Sequence, residues 1–526
     1  MKMIGDTRIA ERFRSLGGRG RSGAPDRYNE PVYKLQPLVV VVTVMGGALA
    51  ACRIPAPVPA PVPVPAPASA ARPARPAPVE FWVDAYAVEG GDGTEARPYR
   101  SLDRALARGG AAGGARFHVR TGLYRGPFTL PPGAAIDGPE AAVLFAEGGE
   151  GAVVTAADAS LTGVSLQGGA TGLAVLGPVR AVGVHFSGQR TSAVQVRGGR
   201  LELVRADVQA TISEVVGVRV ERGRALVADC AFSGPFRRAI LGEGAEVEVA
   251  VERTRFVEAV TAVQLMGARG RLKDVAARGG RGPAVFVGLG GDVEIDGLEV
   301  DGHEHALLSR DARLRARGVT SRKAEQAGIG LVKSRATLED VAVSDSGPYG
   351  GVDVVGGEVE LRRFRIERAA SFGVHARSAR VAISDGRVDG VASERDSSLG
   401  DGVHLREAKG TVERVTVRGA AGSGLLVSEA SEIRGADLVM ERCRWGGVVV
   451  ETLSTFTGRS IGVSDGGGAA LVVSTEATAE IAGLTSARNQ DGTVWAECNE
   501  NARVTLRGLS EDAPRTRLPP CVRVER

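Results

Sequence analysis

Two of the chain's six histidines stand in one phrase written twice, "FGVHA" around His375 and "DGVHL" around His404. Asp353 holds the matching place one phrase earlier, in "GVDV". Imidazole exchanges protons near neutrality and binds metals, and a neighbouring carboxylate fixes its tautomer. If a repeating fold stacked these phrases, the three side chains would sit on consecutive rungs about 4.8 Å apart. That spacing suits two imidazoles and a carboxylate converging on a divalent ion, calcium or zinc, or a carboxylate orienting a histidine as general base. Polar residues stacked and solvated on an outer face are the alternative reading.

The stacking is set by a repeat. A small residue followed by apolar, any, apolar recurs fifteen times, from Gly172 to Thr493. The spacings are 21 to 24 residues, except for 29 between Gly373 and Gly402. A period near 22 whose unit holds two or three short apolar alternations cannot close a core alone, but stacked coils can. In each phrase the residues one and three past the landmark face inward, so the residue two past it, where Asp353, His375 and His404 stand, faces solvent. The long interval inserts "VASERDSSLGD" (391–401) between the two histidine coils, bringing Glu394, Arg395 and Asp396 within reach, with Arg395 suited to hold a substrate carboxylate.

Other candidates are weaker. Asp301, His303, Glu304 and His305 in "DGHEHALLSRD" form an H-x-H pair at a turn, where exposure to solvent is the ordinary fate. His118 and His185 stand alone and read as structural. Tyr349 and Trp445 each precede a landmark by two residues and offer sugar-stacking faces, four coils apart.

Glycine numbers 73 of 526 residues and aromatics only 4%, so the core must be thin and built from small and β-branched side chains. The net charge of +4 resides in residues 1–51, which hold eight Lys/Arg against four Asp/Glu, and this removes any charge argument for nucleic acid.

From Phe81 onward the chain resembles the right-handed parallel β-helix proteins, the pectate-lyase-like solenoids. The entrance carries the resemblance best: "FWVDAYAVEGGDGTEARPYRSLDRALARGG" followed by "ARFHVRTGLYRGPFTL". The resemblance implies an all-β solenoid of about 15–17 coils of 22–23 residues, roughly 80 Å long at ~4.8 Å per rung. A short helix, Leu102 to Ala107 with Ser101 as N-cap, would close its N-terminal end. It also implies polysaccharide as the ligand class. The clustered aspartates of polygalacturonases and the Asp-Pro-His of alginate epimerases are absent, which leaves catalysis open.

Ahead of this domain, "PLVVVVTVMGGALAAC" ends in Leu49-Ala50-Ala51-Cys52, which resembles the lipobox of bacterial lipoproteins. Cleavage before Cys52 and lipidation of its thiol would anchor the chain, with Arg53 giving no inner-membrane retention signal. Residues 1–51 are then a leader, and the Pro/Ala-rich 52–79 a polyproline stalk of roughly 70 to 80 Å at ~3.1 Å per residue. Residues 80–526 are the solenoid. In an oxidising envelope Cys498 and Cys521 would close a C-terminal cap, whereas Cys230 and Cys443, about nine coils apart, would be buried hydrophobes.

The sequence thus points to a monomeric, lipid-anchored envelope protein on the outer membrane or cell surface of a Gram-negative bacterium, binding or scaffolding polysaccharide. The alternatives are a polysaccharide lyase, hydrolase or epimerase using Asp353, His375 and His404, and a mechanical spacer.

Overall fold

The computed structural model describes residues 79–110, 113–149, 151–393, 399–512 and 518–525. The chain divides into Met1–Ala77 and Pro78–Arg526, and every described residue belongs to the second unit. Cys52 and the leader lie outside the described residues, as do Glu394, Arg395 and Asp396.

The second unit is an all-β right-handed parallel solenoid of about 17 turns. Each turn adds one rung to three parallel sheets. Sheet A collects the landmark strands, such as Ser192–Val196 and Val216–Val220. Sheet B collects those that follow, such as Arg200–Val204, and sheet C the short third strands, such as Asp207–Gln209. Strands pair with their counterparts one turn on, so Val194, Val218 and Ile240 lie in one row.

The register follows from what the interior admits. Val194, Val196, Val218 and Val220 are fully buried, and in sheet C Phe232 stacks on Phe256 with ring centroids 5.1 Å apart. The landmark is small because it sits against the next rung: a Cβ at Gly217 would lie 2.3 Å from the Ala239 carbonyl oxygen and 2.8 Å from the Phe232 ring. From Arg269 on, the B and C strands run together, as in the ten-residue Arg269–Arg278, bent at one residue of positive φ. Asp340 (φ 54°), Arg363 (49°) and Asp385 (57°) take this corner on successive turns. L-residues resist that conformation, and here Arg363 Nε donates to Asp340 Oδ1 at 2.7 Å, while Arg414 grips both oxygens of Asp385 at 2.6 and 3.0 Å.

Both ends are closed. Helix α1 (Leu102–Gly110) is longer than the sequence suggests and buries Leu102, Ala105, Leu106 and Gly109. At its start the Arg104 N–H lies 3.5 Å from Ser101 Oγ, the outer limit for a capping bond. At the far end Cys498 and Cys521 form a disulfide, their Cα atoms 5.3 Å apart, and Val522–Glu525 pairs with Arg503–Glu511. Cys230 and Cys443 are buried free thiols, and burial raises both, to about 11 and about 12.

One expectation fails along part of sheet A. The row two past the landmark is not solvent-facing throughout: Ala174, Leu241, Val449 and Val472 are 1–6% exposed. On the Leu241 strand, Arg238 Nε donates to Oε1 of Gln264, the register partner of Leu241 on the next rung, at 2.5 Å.

Candidate functional site

Sheet A places Gly330, Asp353, His375, His404 and Leu426 in one register row on five consecutive rungs. His375 Nδ1–H donates to Asp353 Oδ1 at 2.7 Å. This bond fixes the imidazole tautomer and leaves Nε2 as the basic nitrogen. The two side chains are 12% and 20% exposed, so they are sheltered without being sealed off. On the next rung the His404 ring stands edge-on to that of His375, centroids 5.5 Å apart. Phe372 stacks on His375 at 4.7 Å and meets His404 in an edge-on contact at 5.4 Å.

His404 has an acid of its own. Asp401 Oδ2 lies 3.2 Å from His404 Nδ1, too far out of line for a full hydrogen bond, which leaves that nitrogen buried and unpaired. The Asp401 side chain is only 3% exposed, and its other oxygen, Oδ1, accepts the Ser423 N–H at 2.7 Å. Gly422 makes the room, since a Cβ there would lie 2.5 Å from Oδ1. On the opposite side of the ring, His404 Nε2 lies 3.3 Å from Ser428 Oγ.

Two further groups close on the row. Burial raises the half-buried Glu451 carboxyl above the usual carboxylate range; His404 opposes the rise, and Asp401, Glu429 and Glu497 add to it. Arg406, paired by register with Ser428, donates from Nε to Glu429 Oε2 at 2.5 Å. At the other end, the His305 ring occupies the space over Gly330, where a Cβ would lie 3.1 Å from its Cδ2. Burial pushes His305 down to about 4, against a smaller upward pull from Asp353.

The sequence-derived residues therefore divide. Asp353, His375 and His404 come together. Tyr349, 38% exposed, immediately precedes the Asp353 strand and Trp445 the Val449 strand; they stand about four rungs apart and do not meet. At the end of the 391–401 interval, the Asp401 N–H donates to the Ser371 carbonyl at 3.1 Å. The H-x-H pair is not exposed: His303 is 1% accessible, its Nδ1–H donates to the Gly282 carbonyl at 3.0 Å, and burial lowers its pKa. It folds inward because Gly280 leaves a gap for its ring. His118 stacks on Trp82 at 4.5 Å, and His185 Nδ1 lies 3.2 Å from Asp207, both as structural residues.

Sequence reasoning missed Asp401, Ser428 and Glu451, which lie outside the row two past the landmark. Only Asp401 carried a signal, as a carboxylate where neighbouring phrases have Phe372 and Ser423. For a divalent metal, Asp353 Oδ1 already holds His375 Nδ1, and among the described residues no three His, Cys, Asp or Glu side chains are grouped to hold an ion. Hollows of about 660 Å³ beside Trp82, Tyr86, His118 and Arg120, and about 700 Å³ beside Arg335, Glu358, Arg380 and Lys409, include none of the row's residues.

No family model and no curated protein matches the chain. Among solved structures it is similar to tailspike protein 3 of bacteriophage CBA120, at 11% identity and a TM-score of 0.26, covering 83% of this chain and 62% of the tailspike. It is similar to the catalytic unit of a GH87 α-1,3-glucanase from Streptomyces thermodiastaticus strain HF3-3 at 14% identity and a TM-score of 0.23, covering 85% of this chain and 72% of that one. A PL6-family alginate lyase gives 9% identity and a TM-score of 0.25, covering 81% and 99% respectively. At identities and scores this low the likeness carries no argument about activity or ligand.

Proposed function

We propose that the chain engages polysaccharide along sheet A and acts on it at the His–carboxylate centre, held at the cell envelope through a lipid on Cys52. One observation carries this reading: two histidines on adjacent rungs, each beside its own aspartate, one of the acids almost wholly buried. Removing a carboxylate from water costs stability unless it is fully paired. Asp401 spends one oxygen on a backbone N–H and leaves the other 3.2 Å from an unpaired imidazole nitrogen, an arrangement that costs a mechanical spacer stability without return.

The site's shape supports the ligand class. A row running over successive rungs at about 4.8 Å presents functional groups in a line, which fits an extended polymer better than a small molecule. Tyr349 and Trp445 stand on either side of the centre as stacking faces, and at that rung spacing about 19 Å of polymer would lie between them.

The test is retention of the chain on a panel of neutral and uronic-acid polysaccharides, followed by product analysis with and without calcium or zinc. Retention lost in Tyr349→Ala or Trp445→Ala, and conversion lost in His375→Ala with the fold intact, is the expected pattern. No retention on any polysaccharide refutes the reading. Lipidation is tested separately by Cys52→Ser, which should release the chain from the membrane fraction.

A further inference from the structure

We propose that Ser428 is a nucleophile, with His404 as its base and Asp401 orienting that base, and that the site hydrolyses acyl esters carried on a polysaccharide. The polysaccharide in this statement rests on the function proposed above; the acyl chemistry stands on its own geometry. A hydroxyl is a poor nucleophile until a base takes its proton, and the base needs a third group to hold its tautomer. Here His404 Nε2 is 3.3 Å from Ser428 Oγ and Nδ1 is 3.2 Å from Asp401 Oδ2, so one imidazole stands between hydroxyl and carboxylate, its Nδ1 close to the acid but not aligned to bond it. The three residues come from only two adjacent rungs, Asp401 and His404 from the strand Asp401–Arg406 and Ser428 from the strand Ser423–Ser428. Separations at the long end of hydrogen-bond range are usual for such sites when no substrate is bound.

The flanks of Ser428 match the needs of the reaction. By register it lies between Arg406 on the preceding rung and Glu451 on the following one, one residue beyond the Val427–Val450 pair. Attack on an ester builds negative charge on the carbonyl oxygen, to which the guanidinium of Arg406, the register partner of Ser428, can donate; on the other flank burial raises the Glu451 carboxyl, which lessens its repulsion of that charge.

The steps balance with water alone as co-reactant. Ser428 Oγ bonds to the acyl carbon as its proton passes to His404 Nε2. The tetrahedral intermediate breaks its bond to the sugar oxygen, which takes the proton from His404 and leaves as the alcohol. Water then attacks the acyl-serine and gives a proton to His404 Nε2. The acid departs, and Ser428 Oγ recovers its proton.

The experiment uses the full chain, a fluorophosphonate probe and p-nitrophenyl acetate. The expected result is labelling of Ser428, with ester turnover falling ~10³-fold or more in Ser428→Ala and in His404→Gln. Ser474→Ala, a buried serine two rungs further on, should leave both unchanged, and circular dichroism checks the fold. If the wild-type chain neither labels nor turns over ester, or if Ser428→Ala keeps both, the proposal falls. Polysaccharide retention with a silent probe sinks the acyl chemistry alone, whereas ester turnover without retention on any polysaccharide sinks the polysaccharide reading and leaves Ser428 standing.

Discussion

His305 should make the solenoid acid-sensitive between pH 6.5 and 4. Its pKa is lowered to about 4 from 6.5 because burial disfavours the charged ring. Between these values the unfolded chain binds more protons than the folded one, so this group's stability contribution is complete above pH 6.5 and is lost as the pH falls toward 4. At ~1.36 kcal/mol per unit, the cost amounts to about 2 kcal/mol by pH 5 and about 3 kcal/mol below pH 4. The raised carboxyls of Glu304 and Glu451 act the other way, gaining relative stability as they protonate, so the wild-type curve alone does not isolate the effect. The assay is guanidinium denaturation of wild type and His305→Gln from pH 7.5 to 5, followed by fluorescence of Trp82, Trp445 and Trp495. The wild type should lose about 2 kcal/mol more than the variant over that range, and parallel curves would refute the burial argument.

Two further predictions concern stability elsewhere. Replacing both Cys498 and Cys521 by serine removes a cross-link of sequence separation 23; on the chain-entropy account this costs about 3 kcal/mol. Limited proteolysis should then cleave first within the C-terminal segment, and an unchanged cleavage pattern would mean the strand Val522–Glu525 is held by its pairing alone. Gly280→Ala would set a methyl 2.0 Å from the His303 ring and 2.2 Å from the Ala259 carbonyl oxygen. Overpacking of this kind costs ~1–3 kcal/mol, read as a lower melting temperature, and the double variant Gly280→Ala/His303→Ala should recover part of it.

The fold was legible because its determinant is periodic. A landmark such as Gly373, where a Cβ would lie 2.4 Å from the Gly402 carbonyl oxygen, must be small on nearly every turn, and that constraint writes itself into the sequence every 21 to 24 residues. The same register brought out Asp353, His375 and His404, since three equivalent positions on consecutive turns are neighbours by construction. The rest of the site depends on side-chain reach, which has no period. Asp401 stands three residues before His404 and turns back to it, Glu451 comes from two rungs further on, and His305 leans over Gly330 only because that residue has no side chain. The same irregularity hid the burial of His303, which depends on the gap at Gly280. A solenoid supplies identical rungs, so chemistry enters where one rung departs from its neighbours, and the departures cluster here: a 29-residue turn, a buried acid at its close, and a serine across the imidazole from that acid.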